Sequence, residues 1–63
     1  MKKLTGKKLL KIRTALGDTQ VQFAERIGYS MYAITKMEND RMPINTRAQK
    51  IIQNVVDIEG IVV

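Results

Sequence analysis

Lysine and arginine carry most of the chemistry open to this sequence. Eleven of them stand against six Asp and Glu in 63 residues, a net charge of +5, and cationic groups in that excess suit polyanions such as nucleic acid or an anionic membrane. Histidine and cysteine are absent, which excludes disulfides, imidazole or thiolate metal sites, and nucleophiles built on either residue. The carboxylates are scattered singly among basic residues, with no pair spaced for acid–base work. The side chains point to binding rather than catalysis: no enzyme activity, metal, cofactor or small-molecule substrate is expected.

The polar residues with the most informative spacing lie in "TQVQFAERIGYS", residues 19–30. Thr19 and Gln22 fit a capping box, in which each side chain satisfies the other residue's amide at the start of a helix. Gly28 can take the positive φ that ends that helix after about eight residues, and Ser30 can cap the next one. With only Tyr29 between Gly28 and Ser30, the chain cannot return antiparallel. A steep crossing is required, as in the turn of a helix-turn-helix.

The elements that must position this pair read as helices on either side. Leu9, Ile12 and Leu16 make one buried stripe of a helix from about Thr5 to Leu16, which Gly17 can stop. Phe23, Ala24 and Ile27 form the inner face of the second helix. Ile34 and Met37 do so for a third that runs to about Asn39. Pro43 closes that segment, Asn45 or Thr46 can cap a fourth helix, and Ala48, Ile51, Ile52 and Val55 give it an apolar face. The expected fold is all-α, a compact domain of four to five helices over residues 1–63, with a basic leader at 1–4 and an apolar tail at 57–63. That tail, "DIEGIVV", is compatible with a short helix, an edge strand or a frayed end. No apolar run approaches the ~20 residues that span a bilayer, and "MKKLTGKK" lacks the apolar segment of a signal peptide. A cytoplasmic location is expected.

Over "TQVQFAERIGYSMYAITKMEND" the chain resembles the Cro and phage-repressor family of helix-turn-helix proteins. Thr19, Gln20, Phe23, Ala24, Gly28, Ser30, Ile34 and Glu38 stand at the family's motif positions, and the likeness extends over roughly residues 8 to 56. Three places depart from the pattern. Asp40 replaces the usual Gly after the third helix, the loop to Pro43 is about one residue shorter, and small Ala48 with bulky Ile52 reverses the usual order of volumes in the fourth helix.

The resemblance implies binding to double-stranded DNA, with the third helix in the major groove. Its amino-terminal residues Met31, Tyr32 and Ala33 are the matching base-reading positions, with Thr35 and Lys36 further along. Met31 and Ala33 suit thymine methyl groups, and Lys36 suits guanine or phosphate. Met31 and Tyr32 could equally pack against neighbouring helices or beneath the tail. Gln20 matches a position that contacts phosphate and buttresses the reading helix. Ser30, Arg41 and the lysines Lys2, Lys3, Lys7 and Lys8 are further backbone-contact candidates. The family also implies an ion pair between Arg13 and Glu38 that fixes the reading helix on its scaffold.

The expected function is therefore a sequence-specific transcriptional regulator, a repressor acting as a homodimer on a near-palindromic operator. A different class of function remains open, a protein-binding antitoxin or anti-regulator adaptor, because the reading helix holds no Arg, Asn or Gln for bidentate base contacts. A membrane-surface role fits poorly, since the charges do not segregate onto one face of a long helix.

Overall fold

The computed structural model describes residues 4–62, and four helices lie among them: α1 (Gly6–Leu16), α2 (Gln20–Ile27), α3 (Met31–Glu38) and α4 (Thr46–Glu59). Each begins on a side-chain oxygen. Thr5, Thr19, Ser30 and Asn45 sit in extended backbone, and each accepts a hydrogen bond from the amide three residues on, one of the donors a helix start leaves unpaired. At Thr19 the return half of the capping box is also made, its amide donating to Gln22 Oε1 at 2.8 Å. A side-chain hydrogen bond from Arg26 to Asp18 ties α2 to the turn before it and raises the guanidinium's pKa further.

α3 packs on α2 and α1, and α4 closes against α2. Leu9, Ile12, Phe23, Ile34, Met37 and Ile52 form the fully enclosed centre. Ala48 and Ile52 are both buried completely, so the core accommodates the reversed order of volumes on α4. Leu4, grouped above with the basic leader, is also buried, as is Ile44 in the loop before α4. Gln49 joins these two segments: Leu4 donates its amide to Gln49 Oε1 at 3.2 Å, and Gln49 Nε2 donates to the Ile44 carbonyl at 3.0 Å. Neither Leu4 nor Ile44 belongs to a helical stripe, so periodicity gave no sign of either.

The tail divides. Its first residues continue α4 through Glu59, and Gly60, at φ +67°, turns the chain back. The Ile61 amide then donates to the Val56 carbonyl at 3.0 Å, and the Ile61 side chain packs half-buried on the core. Ile58 and Val62 face solvent, Val62 with 97% exposure. Lys2, Lys3 and Val63 lie outside the described residues.

The end of α3 differs from the other three helix ends, because a non-glycine residue, Asp40, takes the left-handed conformation at φ +57°. The amides of Asp40 and Arg41 close the last turn onto the carbonyls of Met37 and Lys36, the usual work of a glycine there. Aspartate has a second task that glycine could not do. Its Oδ1 accepts from the Gly6 amide at 3.2 Å, placing a carboxylate at the positive end of the α1 dipole. Gly6 in turn must lack a side chain, since a Cβ there would stand 2.4 Å from the Met37 carbonyl oxygen and 2.8 Å from both Asp40 Oδ1 and the Glu38 carbonyl oxygen.

In an open helix Gly→Ala stabilises by up to ~1 kcal/mol. Here Gly6→Ala is expected to destabilise by about 1–3 kcal/mol, the cost of forcing α1 and α3 apart, as read from urea denaturation; a gain in stability would show that the contact yields.

Candidate nucleic-acid interface

The connection from α2 to α3 is made by three residues. Gly28 takes the left-handed conformation at φ +76°, and the Tyr29 amide donates to the Ala24 carbonyl at 2.8 Å, which closes α2. Ser30 Oγ then accepts from the Ala33 amide at 3.1 Å and opens α3. A link this short commits α3 to lie across α2 rather than alongside it.

One carboxylate fixes the far end of α3. Glu38, with its side chain only 6% exposed, receives Arg13 Nε at 2.5 Å on Oε2 and Arg13 Nη2 at 3.3 Å on Oε1. This is the two-pronged arrangement that a planar guanidinium makes with a carboxylate. Arg13 Nη1 also donates to the Asp18 carbonyl at 2.9 Å, so the guanidinium spans the α1–α2 turn as well. Gln20 Nε2 donates to Glu38 Oε1 at 3.0 Å, and Gln20 Oε1 accepts from the Thr35 hydroxyl at 3.1 Å. Arg13 from α1, Gln20 from α2, and Thr35 with Glu38 from α3 thus form one network. No buried side-chain nitrogen or oxygen among the described residues lacks a partner.

The side chains expected to read or grip DNA fall into two groups. Gln20 and Thr35 are half-buried and spend their polar atoms on this network. The Thr35 hydroxyl is also within 3.0 Å of the Met31 carbonyl. Ala33 is half-buried and touches the core, and Ser30 Oγ is engaged as a cap. Met31, Tyr32, Lys36 and Arg41 are exposed; Tyr32 has 74% of its surface free and Met31 40%. Neither Met31 nor Tyr32 joins the core, and none of the hydrogen bonds among the described residues uses the Tyr32 hydroxyl or the Lys36 ammonium. Lys7 and Lys8 are exposed on α1. Sequence reasoning did not find the Gly6–Asp40 contact, whose partners stand 34 residues apart. Its one sign was an aspartate at a position that calls for positive φ.

No group of His, Cys, Asp and Glu among the described residues could hold a metal ion, and no described helix is long and apolar enough to cross a membrane. Compared with known families, residues 9–54 match a family described as helix-turn-helix. The match takes in the turn, the Glu38 network and most of α4. No curated protein and no solved structure matches the chain.

Removing one member of the Arg13–Glu38 pair leaves the other charge enclosed without an opposite charge, held only by Gln20 or by the Asp18 carbonyl. Arg13→Met is expected to cost about 3–5 kcal/mol of stability, and the double replacement Arg13→Met, Glu38→Met to recover much of it. A thermodynamic double-mutant cycle checks this, and additive effects would mean that the pair does not hold α3.

Proposed function

The chain belongs to the helix-turn-helix family of the Cro/C1 type and is a DNA-binding transcription regulator of that kind, and from this premise we infer that it is a repressor working as a homodimer on a near-palindromic operator. The observation that supports this most is the contrast between the two ends of α3. Its carboxyl end is fastened by Glu38 and by the Gly6–Asp40 contact, while its first turn, anchored on the core by Ile34, leaves Met31 and Tyr32 exposed. A rigid helix with one uncovered end is what a major groove can accept. Lys36 on α3 and Arg41 just past its carboxyl end are exposed cations with no ion pair among the described residues, and the lysines Lys2, Lys3, Lys7 and Lys8 add to the attraction for phosphate. Gln20 serves as buttress, and the Ser30 hydroxyl retains its proton for a phosphate oxygen. Such a regulator acts where its operator is, in the cytoplasm.

The size of one copy against the spacing of the grooves supports two protomers. The molecule measures 27 × 24 × 18 Å, whereas successive major grooves on one face of DNA recur every ~34 Å. One copy presents one α3 and reads one half-site. For the contact between copies, α4 offers Ile51 and Val55, half-buried, followed by exposed Ile58 and by Val62 just beyond the helix end. Ile51, Val55 and Ile58, spaced four and three residues apart, share one face of α4, and a two-fold axis can pair that face with itself, with Val62 exposed just past the Gly60 turn. An operator that overlaps a promoter is denied to other proteins when occupied, which is how binding would repress.

Selection of bound sequences from a random DNA pool tests the reading. Recovery of a symmetric site with half-sites about one turn apart supports it. Binding without sequence preference, or none, removes it in favour of the adaptor role.

Two substitutions follow. Lys36→Ala is expected to lower the slope of log affinity against log salt by about one unit if the ammonium meets phosphate, or to cost ~1–3 kcal/mol at a single base pair if it meets guanine; unchanged binding by both criteria removes Lys36 from the interface. Ile58→Lys with Val62→Lys, both at exposed positions, is expected to leave the melting temperature within a few degrees and to abolish the dimer in analytical ultracentrifugation. A wild-type chain that is monomeric at high micromolar concentration contradicts the α4-mediated dimer.

A further inference from the structure

The reading end of α3 has no free amide or guanidinium to set against a base edge; the polar groups it leaves uncommitted are the Ser30 proton, the Tyr32 hydroxyl and the Lys36 ammonium. Base edges in the major groove are usually told apart by side chains that donate and accept in pairs, and the fold has used most such groups here. The Ser30 oxygen is taken by the Ala33 amide, and the Thr35 hydroxyl by Gln20 and the Met31 carbonyl. The Gln20 amide is tied to both Glu38 and Thr35. What the first turn of α3 offers outward is a thioether and a phenol ring, Met31 and Tyr32, beside the half-buried methyl of Ala33.

We propose that this protein recognises its half-site mainly through the C5-methyl groups of thymine, with Met31 and Tyr32 as the specificity-determining residues and Lys36 as an auxiliary polar contact. The inference rests on the reading of α3 as the DNA-contacting helix. Thymine alone among the unmodified bases presents a methyl group to the major groove, so an apolar surface there favours T·A pairs wherever it lies over the methyl. Methionine suits the task because its unbranched, polarisable chain can adjust to a methyl whose position shifts with local DNA geometry. The Tyr32 ring can cover a second methyl while its hydroxyl turns outward to phosphate. The half-site so read should be rich in thymine at the positions under the first turn of α3 and should tolerate exchange at positions that offer hydrogen-bonding groups alone.

The test removes the methyl and nothing else. Each thymine of a selected half-site is replaced in turn by deoxyuridine, which keeps every base-pairing group, and affinity is measured by fluorescence anisotropy. One or two positions are expected to lose roughly three- to tenfold each, the scale of removing one buried methyl from an apolar contact. In Met31→Ala, whose side chain takes no part in the core, the loss at the position beneath Met31 should disappear while the others remain, which separates a protein contact from an effect of uracil on DNA stiffness. Placing 5-methylcytosine at the same step, so that a methyl returns on a different base pair, should restore part of the affinity lost on changing T·A to C·G. Sequence-selective binding that is indifferent to uracil at every thymine would overturn the methyl readout and leave the DNA-binding role standing. Absence of any selective binding to DNA would overturn both.

Discussion

Enclosing a carboxylate costs several kcal/mol unless opposite charge and hydrogen-bond donors surround it, and the arrangement of this molecule follows from how Glu38 is surrounded. Its partners come from two other helices, so those helices can satisfy it only in one relative placement. Arginine is needed on α1 because a planar fork can hold both carboxylate oxygens and still reach the Asp18 carbonyl with its third nitrogen, which an ammonium group could not do with the same fixed geometry. Gln20 extends the constraint to α2 and passes it on to Thr35. Apolar packing gathers the helices, but it is weakly directional; the Glu38 network supplies the direction.

The contact between the start of α1 and the end of α3 serves the same purpose by other means. An amino-terminal helix end, positive through its free amides, abuts the carbonyls at a carboxyl-terminal end, negative through its free oxygens. The absence of a side chain at Gly6 brings the two within van der Waals range, and Asp40 completes the join. Its left-handed backbone is strained for an aspartate, which the hydrogen bond to Gly6 offsets.

Much of this was legible in the residues, and what was not has a common cause. Local signals sufficed for the helices: the caps at Thr19 and Ser30, the apolar stripes and the turning Gly17 and Gly28 all act within a few positions of one another, whereas the Thr5 cap and the Gly60 turn were not read. The fourth cap was narrowed only to Asn45 or Thr46, because either side chain can accept from the amide three residues on. Leu4 and Ile44 escaped notice because an isolated apolar residue has no periodicity, and their place in the core depends on Gln49, far away in the chain. The tail could not be assigned whole because it is not one thing: Gly60 sends Ile61 inward and leaves Val62 outside. For Met31 and Tyr32, hydrophobicity alone could not distinguish a core position from an exposed one; only the packing of α3 on two helices at once determines which side remains uncovered.

The residues that fasten α3 and the residues that face outward from it are different residues. Arg13, Gly6, Asp40 and Glu38 hold the helix, while Met31 and Tyr32 lie outside the core and are exposed. Exchange at an exposed position of this kind usually alters stability by no more than ~0.5 kcal/mol. A lineage carrying this fold can therefore wander among different targets by mutations that are nearly silent for folding, and two descendants of one gene could part company over what they bind long before they differ in how they fold.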